Sequence, residues 1–357
     1  MKRETWNWII AILILSGLAL AQSGGQFEIK KSVIAGGGGG ANGGNFSLKG
    51  SIGQPVASTS SGGTYLLNSG FWGGGDSAVT PGSTRFDFDG DAKADIAIFR
   101  PGPGEWWYLR SIDGGNYATQ FGSGTDTMVP ADFSGDGRTD IAFWRAGEWY
   151  VLRSEDQSFY SFPFGTIGDI PAPGDFDGDG TADPAIFRPS SATWFIIRSS
   201  DGGTTIETFG ATGDKPLVGD YDNDGQDDIA IYRPGIAQYW INRSTLGLIA
   251  YQFGAAGDLA FAADFTGDGT DDGGFFRPST GFWYVFRSED SSFFAFPFGG
   301  NGDIPAPADY DGDGTADATI FRPSTNTWFS NQSTAGVVIT GFGAAGDIPV
   351  PSSYVVP

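Results

Sequence analysis

The chain contains no cysteine and no histidine in 357 residues. Disulfides, thiolate nucleophiles, soft-metal sites and imidazole general bases are all excluded by those two absences. Basic residues are also scarce. Twenty Lys and Arg stand against 42 Asp and Glu, leaving a net charge of −22. Nucleic-acid phosphates and anionic bilayers are poor partners for such a chain, because both need a basic face. Helix-period runs are missing after residue 21, and there is one long apolar run.

That run lies at the N-terminus. Lys2 and Arg3 precede the apolar stretch Ile9 to Ala21, which ends "ALAQ" with Ala19 and Ala21 flanking Leu20. Residues 1–21 read as a secretory signal peptide, with an uncleaved anchor as the alternative; the stretch is short for a full membrane span. The expected destination is secreted or cell-surface, with no membrane span after cleavage.

The abundant residues are 58 Gly, 20 Pro and 15% aromatics, a composition that suits short strands joined by tight turns. Residues 22–75 hold a "GGGGG" run and three short alternating segments, and read as a Gly-rich β-strand module. Residues 76–84 close a Gly/Ser/Thr/Pro stretch that reads as a linker.

From residue 85 onward one programme repeats. Its most distinctive part is an acidic nonapeptide: "DFDGDAKAD" at 87–95, "DFSGDGRTD" at 132–140, "DFDGDGTAD" at 175–183, "DYDNDGQDD" at 220–228, "DFTGDGTDD" at 264–272 and "DYDGDGTAD" at 309–317. These are loops 1 to 6. The copies are 43–45 residues apart and carry 22 of the 42 acidic residues at positions 1, 3, 5 and 9. Each loop is followed by a strand of the "IAIFRP" type, an aromatic strand of the "EWWYLRS" type, a strand ending in Phe-Gly, and a proline-punctuated "GDIPAP" segment. Four short strands per period predict an all-β fold, a β-propeller of four-stranded blades.

The two ends of the array complement each other. The first loop lacks the "GDIP" lead-in, and the chain ends in "GDIPVPSSYVV" with no loop after it. Residues 348–355 are therefore expected to complete the blade of Asp87 and close a ring of six blades. In the alternative of seven, the strands of 26–72 join the C-terminal strand.

So many like charges in nine residues repel one another unless a cation sits among them. Calcium takes six to eight oxygen ligands, and a D-x-D-x-D spacing presents them from one tight loop; magnesium, smaller and strictly octahedral, fits less well. The competing reading is an ordinary Asp/Gly turn that needs no metal, which six copies disfavour. The candidate ligands are the side chains at positions 1, 3, 5 and 9 with the carbonyl at position 7. In loop 1 these are Asp87, Asp89, Asp91, Asp95 and Lys93; in loop 2, Asp132, Ser134, Asp136, Asp140 and Arg138; in loop 3, Asp175, Asp177, Asp179, Asp183 and Thr181. Loop 4 offers Asp220, Asp222, Asp224, Asp228 and Gln226; loop 5, Asp264, Thr266, Asp268, Asp272 and Thr270; loop 6, Asp309, Asp311, Asp313, Asp317 and Thr315. Up to six Ca2+ are expected, with loops 2 and 5 the weaker because Ser134 and Thr266 replace a carboxylate. Ala92 stands where the other loops have glycine, a source of strain in that turn.

With "FG" before the loop, "DxDGDGxxD" in it and "IAIFRP" after it, residues 85–356 resemble FG-GAP (VCBS) repeats, the blade motif of integrin α-subunit propellers and of many secreted bacterial proteins. The resemblance implies calcium in the loops between adjacent strands of a blade, at the residues just named. "FRP" stands where the integrin version has "GAP", so integrin-like ligand recognition is not carried over.

Seven tryptophans of the aromatic strands (Trp106, Trp107, Trp149, Trp194, Trp240, Trp283, Trp328) are expected to pack between blades rather than stack on sugars. The arginines after those strands and those of "FRP" are expected to pair with loop or "GD" aspartates, with Ala146 and Asn331 breaking the two series. No catalytic residue is assigned, since the remaining glutamates are scattered near turns. The expected function is a monomeric, calcium-binding scaffold for adhesion or binding of extracellular polysaccharide or protein; an extracellular polysaccharide-degrading enzyme and a structural spacer are the alternatives.

Overall fold

The computed structural model describes residues 84–357 throughout, and the backbone of short strands between residues 23 and 69. Residues 1–21, with the expected signal peptide, lie outside the described residues. The chain divides into Met1–Ala78 and Val79–Pro357. In the first unit the strands pair as three hairpins: Ser23–Gly24 with Phe27–Glu28, Gly38–Gly43 with Phe46–Ser51, and Ser58–Gly62 with Tyr65–Ser69.

In the second unit six four-stranded antiparallel sheets follow one another, five of them built from consecutive strands. Blade 3 shows the plan. An inner strand, Ile170–Pro171, is only two residues long, and its prolines limit it to two ladder positions. Loop 3 leads to Ala185–Arg188, a hairpin to Thr193–Ile197, and a second hairpin to the outer strand Thr204–Thr208. Burial tracks position in the blade. The second strand is nearly continuous apolar sequence, buried on both faces; the outer strand alternates exposed and half-buried residues.

Six blades are present, not seven. Ile348–Pro349 pairs with Phe99 and Ile98 of blade 1, so the last strand of the chain is the innermost strand of the first blade. The expected closing strand stops there, however. Val350–Tyr354 turns into a 3₁₀ helix with a proline at its start, and Val356 forms a two-way backbone bridge with Ala260 of blade 5. The Tyr354 hydroxyl donates to the Pro130 carbonyl of blade 2 at 2.6 Å, and its ring meets Phe86 edge-on. The tail thus ties blades 1, 2 and 5 together across the ring axis.

Aromatic packing holds neighbouring blades together. Trp106, Trp149, Trp194, Trp283 and Trp328 are each at most 2% exposed, and each indole N–H donates to the carbonyl of the Phe in the following Phe-Gly pair. Each clusters with aliphatic residues of the next blade, as Trp194 does with Val218, Ile229 and Ile231. In blade 4 the buried position belongs to Tyr239, and Trp240, one residue on, is half-buried. The Tyr239 hydroxyl donates to the Gly274 carbonyl of blade 5 at 2.6 Å. Blade 5 answers with glycine: a Cβ on Gly273 would lie 2.1 Å from the Tyr251 hydroxyl, and one on Gly274 would lie 2.3 Å from Phe261.

The tail contributes packing and a buried hydroxyl bond, so Tyr354→Ala is expected to cost about 2 kcal/mol. Thermal unfolding followed by circular dichroism should show a melting point lower by several degrees. An unchanged melting point would show that closure ends at Pro349.

Candidate metal centres

Each acidic loop leads into the second strand of its blade, and in blades 2 to 6 it comes directly from the inner strand, so all six lie at one end of the ring. Their local geometry comes from aspartate acting on its own backbone. The position-1 carboxylate accepts the N–H groups of positions 4 and 6: for Asp175 these come from Gly178 at 2.7 Å and Gly180 at 2.8 Å. The position-9 carboxylate accepts the position-2 N–H with one oxygen; with the other it accepts the N–H of a serine sixteen residues on, or fourteen in loop 2, where Ser154 serves Asp140. For Asp183 the donors are Phe176 at 3.0 Å and Ser199 at 2.6 Å. Position 6 takes positive φ, +87° at Gly180 and +66° at Ala92, a region that suits glycine and strains alanine.

These contacts bring positions 1, 3 and 9 together in four loops. The triads Asp87/Asp89/Asp95, Asp175/Asp177/Asp183, Asp220/Asp222/Asp228 and Asp309/Asp311/Asp317 each present one oxygen apiece within 4.8 Å of the others. The position-5 carboxylates stand outside these groupings. Asp91 and Asp179, for example, accept the position-7 N–H and a hydroxyl from the same serines, Ser111 and Ser199. The position-7 residues donate that N–H, so Lys93 and Thr181 serve the loop through their backbone.

In the four triads one atom is left over. Oδ1 of Asp89, Asp177, Asp222 and Asp311 is buried and has no hydrogen-bond partner, whereas Oδ2 of each accepts from the neighbouring hairpin. A buried, unpartnered carboxylate oxygen beside two further carboxylates is unfavourable unless a cation completes it. The donors are all oxygen, which suits a hard divalent ion. The residues fit calcium on both counts.

Loops 2 and 5 are different. The Ser134 hydroxyl is shared between Asp132 and Asp140, each at 3.4 Å, and the Thr266 hydroxyl donates to Asp264 at 3.4 Å. A proton donor at position 3 meets the carboxylates where the other loops add a further negative charge.

The closing aspartates feel this crowding. Asp95, Asp140, Asp183, Asp228, Asp272 and Asp317 are at most 1% exposed. Burial, and secondarily the neighbouring carboxylates, pushes Asp95, Asp228 and Asp317 up to about 7 and Asp140, Asp183 and Asp272 up to about 6. Loops 4 and 5 alone carry a further aspartate at position 8. Arg85 reaches both, 3.2 Å from Asp227 and 3.6 Å from Asp271, and lies over the Tyr354 ring.

At the other end of the blades the six "GD" aspartates, Asp126, Asp169, Asp214, Asp258, Asp303 and Asp347, are each clamped by an arginine through two hydrogen bonds of 2.6–2.9 Å. The partners are Arg145, Arg188, Arg233, Arg277, Arg322 and Arg100 respectively. Ala146 therefore does not break this series as expected; it replaces the proline, and Arg145 holds the arginine place. The arginines after the aromatic strands behave more locally: Arg110 and Arg198 pair with turn aspartates Asp113 and Asp201. The six clamping serines escaped notice in the sequence. Their signal was a sixteen-residue offset from the closing aspartate in five loops, shortened to fourteen in loop 2.

An FG-GAP-like repeat model matches residues 87–143, the stretch from loop 1 through loop 2 to the second strand of blade 2. One stretch of this six-bladed propeller, from loop 1 into blade 2, is thus similar to an FG-GAP-like repeat. Solved structures similar to this propeller include an Agrocybe aegerita lectin with specific recognition of non-reducing terminal N-acetylglucosamine (16% identity, 74% of this chain and 92% of that one covered, TM-score 0.46). Others are a streptogramin B lyase (10%, 71% and 84%, 0.45) and the virginiamycin B lyase of Staphylococcus aureus (10%, 71% and 86%, 0.44). The sequence matches no curated relative.

The loops of this propeller generate two expected outcomes. Ala92→Gly relieves a left-handed alanine and should stabilise the fold by about 1 kcal/mol, read as a higher melting point. The second concerns pH. A carboxylate whose pKa is raised on folding binds more protons in the folded state, so its contribution to stability is lost as pH rises through the folded value. Metal-free protein should therefore melt at a lower temperature at pH 8 than at pH 5. Millimolar calcium should flatten or reverse that slope, because a cation favours the ionised form. A metal-free melting point that rises from pH 5 to 8 would contradict the assignment.

Proposed function

We propose that this propeller is a calcium-stabilised, secreted or cell-surface scaffold that binds polysaccharide or protein and catalyses no reaction. The observation that carries the reading is the buried, unpartnered Oδ1 in each of the four carboxylate triads. Asp87, Asp89 and Asp95 and their counterparts in loops 3, 4 and 6 would hold the ion, with Asp91 and the Lys93 carbonyl and their equivalents near enough in sequence to add oxygens. The bound ion supplies positive charge where the chain has concentrated negative charge. At about 1 mM calcium and a dissociation constant of about 0.1 mM, each site contributes about 1.4 kcal/mol to folding. Four such sites contribute about 6 kcal/mol, on the scale of a domain's net stability.

The ring axis is a poor place for a ligand. Its cavity, lined by Arg85, Lys215, Leu217, Tyr354 and Val356 among others, is only about 150 Å³, and the tail forms part of its wall. A drug-sized ligand needs at least about 300 Å³. The end opposite the loops offers more. There each blade presents a half-buried aromatic ring, Trp107, Tyr150, Phe195, Trp240, Tyr284 or Phe329, lying under the arginine that clamps the "GD" aspartate at 4.5–5.5 Å. Flat apolar rings edged by fixed cations suit sugar faces and acidic or aromatic side chains. Among the described residues no helix is long and apolar enough to cross a membrane.

Thermal melts with calcium and with chelator, followed by a glycan array, test the proposal. Calcium should raise the melting point by ten degrees or more, and a retained glycan should survive incubation uncleaved. Equal melting points remove the calcium part; turnover of a bound glycan removes the scaffold part.

A further inference from the structure

The six loops are not independent. In each, the N–H of position 8 donates to the position-1 carbonyl of the preceding loop: Thr139 to Asp87, Ala182 to Asp132, Asp227 to Asp175, Asp271 to Asp220, Ala316 to Asp264, and Ala94 to Asp309. All six bonds measure 2.6–2.7 Å, and the last closes the circle. Position 8 lies between two candidate ligands, the carbonyl of 7 and the carboxylate of 9, and it is anchored on the residue that opens the neighbouring site. The side chain at position 7 also packs on the preceding loop. A Cβ on Gly178 would lie 2.9 Å from Gln226, and one on Gly312 would lie 2.9 Å from Lys93. Between loops 3 and 4 the grip is double, since the Asp227 carboxylate accepts the Asp175 N–H at 2.8 Å.

Resting on the calcium reading above, we infer that the chain takes up four cations, not six, as two coupled pairs, loops 3 with 4 and loops 6 with 1. Loops 2 and 5 fall opposite each other in the ring and separate the pairs. Their serine and threonine hydroxyls meet the carboxylates directly, and they lack the unpartnered position-3 oxygen. Transmission between sites needs an element with two states that both sites bias. A loop without a cation has one arrangement, so it breaks the chain of coupling even though its hydrogen bonds are intact. Where two cation loops adjoin, fixing position 1 of the first also fixes positions 7 to 9 of the second. The free energy of ordering the shared segment is then met once for two ions, which is positive cooperativity.

Calorimetric titration of chelator-stripped full-length protein with calcium chloride, with bound calcium counted by atomic emission, tests this. Four ions per chain and a Hill coefficient above one are expected. Asp222→Asn should leave three, with one of them, the loop 3 ion, about fivefold weaker and the other two unchanged. Asp311→Asn is the mirror variant for the other pair and serves if the first fails to fold. Ser134→Asp should raise the count to five. Six ions in the wild type, or three sites of unaltered affinity in Asp222→Asn, would overturn the inference while leaving the calcium reading standing. No calcium uptake at all would overturn both.

Discussion

Each blade is organised around one desolvated carboxylate, that of the closing aspartate of its acidic loop. Asp183 and its five counterparts sit almost wholly out of solvent, receiving one N–H from within the loop and one from the serine of the next hairpin. That arrangement ties the inner, second and third strands of a blade together at a single point. It also concentrates negative charge where water cannot screen it, so the fold carries a standing electrostatic cost there. Hydroxyls at position 3 relieve it in loops 2 and 5, and Arg85 relieves part of it between loops 4 and 5. Arg110, Arg198 and Arg243 act on three of the triads only from a distance, and among the described residues none makes an ion pair with a triad carboxylate.

Much of this was legible in the sequence because the repeat is strict. A near-constant period, four strand-like segments per copy, and complementary ends determined the blade plan and the identity of the strand that closes the ring. The choice between six blades and seven turned on which strand pairs with Ile98 and Phe99, a long-range register that no local pattern reports. The 3₁₀ turn after Pro349 was hidden for a similar reason. "VPSSYVV" reads as strand by composition, yet Tyr354 gains more from Phe86, Arg85 and the Pro130 carbonyl than from extending a two-residue ladder.

The candidate site was half legible. The spacing of aspartates marked the carboxylates that come together, and the substitutions Ser134 and Thr266 marked the loops that differ. It did not show that position 5 is turned toward the serine hairpin rather than toward positions 1, 3 and 9. Nor did it show the circle of backbone bonds between loops, since backbone groups carry no residue signature. The tryptophan series misled in two places, since Trp107 and Trp240 are only half-buried and lie under Arg100 and Arg233. In blade 4 the buried aromatic moves one residue earlier and becomes Tyr239, and the compensation appears in another blade as Gly273 and Gly274.

The two ends of the ring then divide the work by chemistry. At the loop end, backbone and carboxylate groups are occupied with one another and with the neighbouring blade, which leaves little there to recognise an external molecule. At the opposite end the buried "GD" aspartates hold their arginines by bidentate bonds, and these in turn lie flat on aromatic rings. Such an arginine has lost its conformational freedom before any ligand arrives, so a partner bound there would not meet that entropic cost again. The asymmetry follows from strand direction alone: every second strand runs from an acidic loop to its arginine. The arginine-capped aromatic rings and the carboxylate triads are thereby kept a strand's length apart, and substitutions at the aromatic-ring end leave the circle of backbone bonds at the loop end undisturbed.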